Sequence, residues 1–254
     1  MRRRCKFVMT SHVKSYVGKN IKPIQFRRPM NKLSKKLSLC FLLFFSTGFS
    51  MTNQALDIVQ MGQPILREKA RSLTVAEIQS PKIQALIQAM RTTLHGKGVG
   101  LAAPQVGYSL QIAVIEDLPE YINLLPIEIQ KERERYPIPF QVFINPQIIA
   151  MDTTKELFFE ACLSIGTGAR ITPRIHRITV EFFNERGEKQ KITAEGWFAR
   201  ILQHEIGHLN GTLFIDVADP RTEITLSEYK EKWIFANKAR IQQYYYEKTG
   251  HEKI

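Results

Sequence analysis

Gln203-His204-Glu205-Ile206-Gly207-His208 decides how this 254-residue chain is read. On a helix, residues four apart share a face, so His204 and His208 can present both imidazoles to one metal ion. Glu205 lies beside the first of them, where it can take a proton from water at the metal. The surrounding sequence supports a helix from about Trp197 to Leu209, closed by Asn210-Gly211. Gly207 costs this helix roughly 1 kcal/mol relative to alanine, so something other than helix propensity has chosen it. A catalytic metal site also needs a third protein ligand and one open position. Downstream, the candidates are His251, Glu223, Glu228 and Glu231, none in a recognisable pattern. Upstream stands Cys162 in Glu160-Ala161-Cys162-Leu163-Ser164; by itself a lone cysteine is more often a small buried hydrophobe than a ligand.

Outward from this helix, the chain alternates between two kinds of pattern. Pro81 opens a helix whose Ile83, Leu86, Ile87, Met90 and Leu94 fall on one apolar face, and which stops at His95-Gly96-Lys97-Gly98. Short strand-like runs come after it at Gln111–Ile115, Gln141–Ile144, Leu157–Glu160, Ile175–Phe183 and Gln190–Thr193, with Asn184-Glu185-Arg186-Gly187 as a hairpin turn. Residues 117–139, rich in proline and charge, predict a long surface loop. A third helix is expected from about Leu226 to Lys248. Helices set apart from a cluster of short strands give an α+β class rather than alternating α/β. Gly98-Val99-Gly100-Leu101-Ala102-Ala103-Pro104-Gln105 carries no phosphate-loop lysine, and alone it reads as a helix-to-strand connection.

Hydrophobic residues make up 44% of the chain and charged residues 24%, which excludes collagen-like and wholly disordered classes. Three cysteines exclude a disulfide scaffold. The formal charge of +12 is concentrated at one end. Twelve of the 36 basic residues and none of the 24 acids lie in residues 1–56, so residues 57–254 are electrically balanced. That balance gives the domain no bulk attraction for DNA or other polyanions. Residues 1–50 divide from a domain at 51–254. From Met30 the segment MNKLSKKLSLCFLLFFSTGFSM has a basic start, a short apolar run and small residues, the layout of an export signal. Its apolar run is shorter than the roughly 20 residues of a membrane span. An arginine-rich, acid-free segment also suits an organelle transit peptide, and a third reading places the true start at Met51.

Taken together, GVGLAAPQ (98–105), EACLS (160–164) and QHEIGH (203–208) resemble the three signature motifs of the peptide deformylases. The likeness extends to IVQMGQPILREKA (58–70) and LNGTLFIDV (209–217), covering about residues 57–220. The resemblance implies an α+β fold with small antiparallel sheets around the HExxH helix and a C-terminal helix. It implies hydrolysis of the formyl group from the formyl-methionine of new polypeptides, in the cytoplasm unless residues 1–50 direct the chain elsewhere. By matching position, Cys162, His204 and His208 would bind one divalent metal, Fe(II) by family habit with Zn(II) as the alternative. Glu205 would move the proton; Gln105 and the backbone N–H of Leu163 would hold the oxyanion; Val99 and Gly100 would line the extended peptide. Ile201, one turn before the first histidine, would wall the pocket for the methionine side chain.

The chain departs from the family pattern at three positions. Ala161 stands where the family has glycine, Gly207 where it usually has an acid, and Gly166 where it usually has proline, in a loop expected to border the substrate. Two other functions compete. A zinc-type endopeptidase would replace Cys162 with a downstream ligand, and a binding module for peptide N-termini would have no use for Glu205. The C-terminal helix offers Lys230, Lys232, Lys238, Arg240 and Lys248 for contact with the ribosome, but Glu228, Glu231, Glu247 and Glu252 make a solvated amphipathic face the simpler expectation.

Overall fold

Helix α1 (Pro81–Leu94) begins where the Ser80 hydroxyl accepts a hydrogen bond from Ile83 N and proline fills the first turn. All five residues of its expected apolar face are buried. Each contributes roughly 1.5–3 kcal/mol on leaving water, which offsets part of the cost of ordering the helix backbone. The structure is a computed structural model that describes residues 54–251. The segment 1–50, the expected boundary at Met51 and Glu252 lie outside the described residues.

Five strands form an antiparallel sheet in the order β1 (Gly100–Ala102), β2 (Ile112–Asp117), β3 (Ile138–Met151), β6 (Arg177–Phe183), β7 (Lys189–Glu195). A smaller sheet pairs β4 (Lys155–Cys162) with β5 (Ile165–Ile175), and β5 with the two-residue β8 (Ile224–Thr225). The α+β class and the antiparallel sheets are as expected. In β2 the side-chain alternation divides a fully buried strand between two cores. Ile112 and Val114 pack with α1, while Ala113 and Ile115 pack with α2 (Gly196–Leu209). Helix α2 thus lies on the face of the large sheet opposite α1, and its Leu202, Ile206 and Leu209 are the buried stripe.

Both ends of α2 are set by glycine. Gly196 has φ +54° and starts the helix against Glu134, where a β-carbon would overlap the Glu134 side chain. Gly211 has φ +73° beyond the last turn, packed on the Arg67 carbonyl. The hairpin between β6 and β7 turns at Asn184–Gly187 as expected, with Gly187 at φ +78°.

The structure corrects four expectations. Residues 117–139 are not an extended surface loop: helical turns at Pro119–Ile122 and Ile127–Glu132 bury Ile122, Leu125 and Ile129. The expected strand 175–183 is two strands, because His176 separates the end of β5 from β6. Most of β5 lies outside the expected strands, since its glycines and Pro173 mask the strand pattern. The single C-terminal helix is broken. A turn at Leu226–Glu228 runs into a wider π turn at Tyr229–Trp233, and the Asn237 side chain caps a new helix, α3 (Lys238–Thr249), by accepting from Arg240 N. The break lets Trp233, Ala236 and Ile241 all reach Phe158 and Phe159 of the small sheet. Among the described residues no helix is long and apolar enough to cross a membrane.

The basic residues of this region are mostly engaged within the fold. Lys238 meets Glu156, Lys232 lies 3.4 Å from Glu228, and Arg240 and Lys248 sit over the rings of Trp233 and Tyr244.

Candidate metal centre and its pocket

Two elements bring the ligand atoms together. Helix α2 carries His204 and His208 on one face, and β4 ends at Cys162 opposite them. The three ligand atoms lie within 4.8 Å of one another. Cys162 Sγ is 3.3 Å from His208 Nε2, and the two histidine Nε2 atoms are 3.3 Å apart. Tetrahedral coordination by two imidazoles and a thiolate requires N···N and N···S separations of about 3.3 and 3.6 Å. The donor set therefore fits a divalent ion without rearrangement of the backbone. Among the described residues this is the cluster of ligating side chains that could hold a metal.

Two of the ligands are supported from behind, His204 by Glu160 and Cys162 by Gln105, whereas His208 Nδ1 is buried without a hydrogen-bond partner. His204 Nδ1 lies 3.0 Å from Glu160 Oε2, which fixes the proton on Nδ1 and leaves Nε2 for the ion. Glu160 is itself held by Arg174, at 2.9 and 2.8 Å, and by Arg200, at 2.7 Å. Burial alone would raise the Glu160 carboxyl, but the Arg174 and Arg200 guanidinium groups and His204 hold it well below the usual carboxylate range. Burial opposes charge on His204, yet its hydrogen bonds to Cys162 and Glu160 prevail and push it up to about 10. His208, buried beside His204, is driven well below the ordinary histidine value.

Gln105 ties the first motif to the second. Its Oε1 accepts from Ala102 N at 2.8 Å, and its Nε2 donates to Cys162 Sγ at 3.4 Å and Ser164 Oγ at 3.2 Å. Glu205 is 3% exposed, and its Oε2 has no hydrogen-bond partner. Burial raises its carboxyl to about 7. A carboxyl kept nearly dry and only partly ionised at neutral pH is poised to accept a proton and return it.

In front of the ligands lies a cavity of about 380 Å³. Every expected site residue except His208 lines it: Val99, Gly100, Gln105, Cys162, Leu163, Ile201, His204 and Glu205. His208 sits behind, 1% exposed. The cavity wall also includes Phe159, Trp197, Leu226 and Tyr229, which sequence patterns do not single out. Nor do they single out Glu160, Arg174 and Arg200. Two of these carry a signal: Glu160 is two residues before Cys162 on one strand face, and Arg200 is one helical turn before His204.

The departures from the family pattern are accommodated. Ala161 is exposed, and it is not among the positive-φ residues, which apart from glycine are Glu134 and Asn145. It also borders the cavity in front of the ligands. Gly166 belongs to β5 rather than to a loop, and a β-carbon there would meet nothing closer than Gln60 Oε1 at 4.0 Å. Gly207 lets the Thr212 carbonyl approach to 3.0 Å from where a β-carbon would stand, while Thr212 N donates back to Gly207 O at 2.9 Å. The downstream candidates for a third ligand are otherwise engaged. Glu223 pairs with Arg170, Glu228 with Lys232, Glu231 with Ser227, and His251 stacks on Tyr245. That removes the ligand set an endopeptidase reading needs.

A family model described as polypeptide deformylase matches residues 55–223. The chain is 39% identical over 180 residues to peptide deformylase 1A, chloroplastic, of Solanum lycopersicum, and 41% over 167 residues to peptide deformylase 1A, chloroplastic/mitochondrial, of Arabidopsis thaliana. These matches cover 70% and 65% of this chain, and 65% and 62% of the plant proteins, less than two thirds of either. A crystal structure of the class I type b peptide deformylase from Acinetobacter baumannii with Met-Ala-Ser bound superposes with a TM-score of 0.58 at 29% identity, covering 65% of this chain and 99% of that one.

Proposed function

We propose, from the premise that this chain belongs to the polypeptide deformylase family, that it hydrolyses the N-formyl group of formyl-methionyl peptides. The observation that carries the reading is the convergence of Cys162, His204 and His208 beside a buried Glu205 whose Oε2 has no hydrogen-bond partner. A divalent metal held there supplies Lewis acidity and a water of lowered pKa. We assign the ion as Fe(II), with Zn(II) as the alternative, because one thiolate and two imidazoles suit both.

The residues around it take the remaining roles. Glu205 accepts a proton from the attacking water as its oxygen bonds to the formyl carbon. As the C–N bond breaks, Glu205 passes that proton to the leaving amine, giving formate and a free methionine N-terminus. The Gln105 amide and the Leu163 N–H stabilise the oxyanion in between. Among the described residues strand β1 is the outer strand of its sheet and pairs with β2 alone. Its open edge at Val99 and Gly100 borders the cavity, which suits an extended peptide added as a further strand. Ile201, Trp197 and Phe159 supply the apolar wall for the methionine side chain. The place of action follows from this substrate, namely any compartment where chains start with formyl-methionine. The cytoplasm is the simplest assignment, and the names of the plant relatives support an organelle as the alternative.

The test is formate release from formyl-Met-Ala-Ser by protein prepared anaerobically with Fe(II), beside Glu205→Ala and Cys162→Ala. Turnover abolished in both variants supports the reading; a folded, metal-loaded protein that releases no formate overturns it.

A further inference from the structure

The charges around the cavity are unequal in freedom. Arg200 is spent on Glu160, and Glu205 is buried in the reaction site. The other two charged residues of the cavity wall are Lys97 and Lys230. Both are exposed, and among the described residues neither makes a salt bridge. They come from unrelated segments. Lys97 lies in the turn between α1 and β1, directly before the peptide-binding edge, and Lys230 lies in the π turn after β8. No acidic side chain of the cavity wall is left to neutralise them.

We infer that Lys97 and Lys230 form a cationic mouth that favours formyl-methionyl peptides with an aspartate or glutamate soon after the methionine. The inference rests on the deformylase reading. With the methionine side chain in the apolar pocket and the backbone along β1, the next residues of the peptide leave past position 97. A carboxylate there gains two ammonium partners; a lysine or arginine meets like charge. Exposed pairs are individually weak and salt-screened, so the preference is modest and greatest at low ionic strength.

The experiment compares kcat/KM for formyl-Met-Ala-Asp, formyl-Met-Ala-Ser and formyl-Met-Ala-Lys on the metal-loaded full chain, and on Lys97→Glu, Lys230→Glu and the double variant. The Asp/Lys ratio within one preparation cancels any loss of folded protein. We expect a ratio of about 3 to 10 at low salt, falling towards one in 0.5 M salt and inverting in the double variant. Calorimetric binding of Met-Ala-Asp and Met-Ala-Lys should show the same order without turnover. Equal kcat/KM for the acidic and basic peptides, or a ratio unchanged by the double substitution, overturns the inference while leaving the deformylase reading intact. Absence of formate from all three peptides overturns the deformylase reading, and equal binding of the two product peptides then overturns the inference separately.

Discussion

The carboxyl group of Glu205 occupies the space in which any side chain at Gly100 would begin: a β-carbon at position 100 would overlap Oε1, Cδ and Cγ of Glu205. The glycine of the first motif is therefore a condition for the carboxylate of the third. Gly100→Ala should push Glu205 off its position and lower kcat by about a hundredfold or more. Metal content should stay at one ion per chain, because Cys162, His204 and His208 are untouched. Formate-release kinetics beside metal analysis will check both halves of this expectation.

Glu205→Gln should lose about 10²- to 10⁴-fold in kcat, yet should not destabilise the protein. Burial raises the Glu205 carboxyl to about 7, above its unfolded value. Folding therefore opposes its ionisation, and stability is lost as pH rises from about 4.5 through 7. The neutral amide escapes that loss. In chelator-treated protein, the melting temperature of Glu205→Gln relative to the parent should climb between pH 5 and pH 8. A variant that instead melts progressively lower than the parent across that range would contradict the burial argument.

Glu160→Gln should be the most damaging single substitution behind the ligands. It leaves the Arg174 and Arg200 guanidinium groups, both inside the fold, without their shared anion. The expected loss is about 3–5 kcal/mol, seen as a melting temperature lower by about 6–20 °C. Metal affinity should fall about 10- to 100-fold because the His204 ring loses its anchor. Thermal scans and competition with a chromogenic chelator will measure the two effects.

Removing the metal should destabilise the parent and leave Cys162→Ala little changed. Binding to the folded state alone contributes about 4 kcal/mol at a thousandfold excess over Kd. The chelator-induced drop in melting temperature should accordingly depend on free metal concentration in the parent, and should largely vanish in Cys162→Ala. An equal drop in both proteins would mean that Cys162 is not a ligand.

The chemistry of this chain is more legible in its sequence than its frame is. His204 and His208 announce themselves by helical spacing, and Pro81 to Leu94 by a clean apolar stripe. Cys162 does not: a single cysteine has no spacing to read, and only the three motifs together make it a ligand. β5 escapes notice because Gly166, Gly168 and Pro173 erase the alternation that marks a strand, while its pairing with β4 supplies the order that propensity does not. The C-terminal segment reads as one helix because its composition suits a helix throughout. The break near Asn237 is imposed by Trp233 and Ala236 packing on Phe159, a contact between residues far apart in the chain.

Strand β1 is only three residues long, and among the described residues one of its edges is unpaired. A long bare edge would invite other chains to stack on it without limit; one this short offers a few backbone hydrogen bonds and then stops. Such an edge reads main chain rather than side chains, and main chain is the same in every polypeptide. On the deformylase reading proposed above, a ledge just long enough to hold the first few residues of a peptide would serve any newborn chain alike.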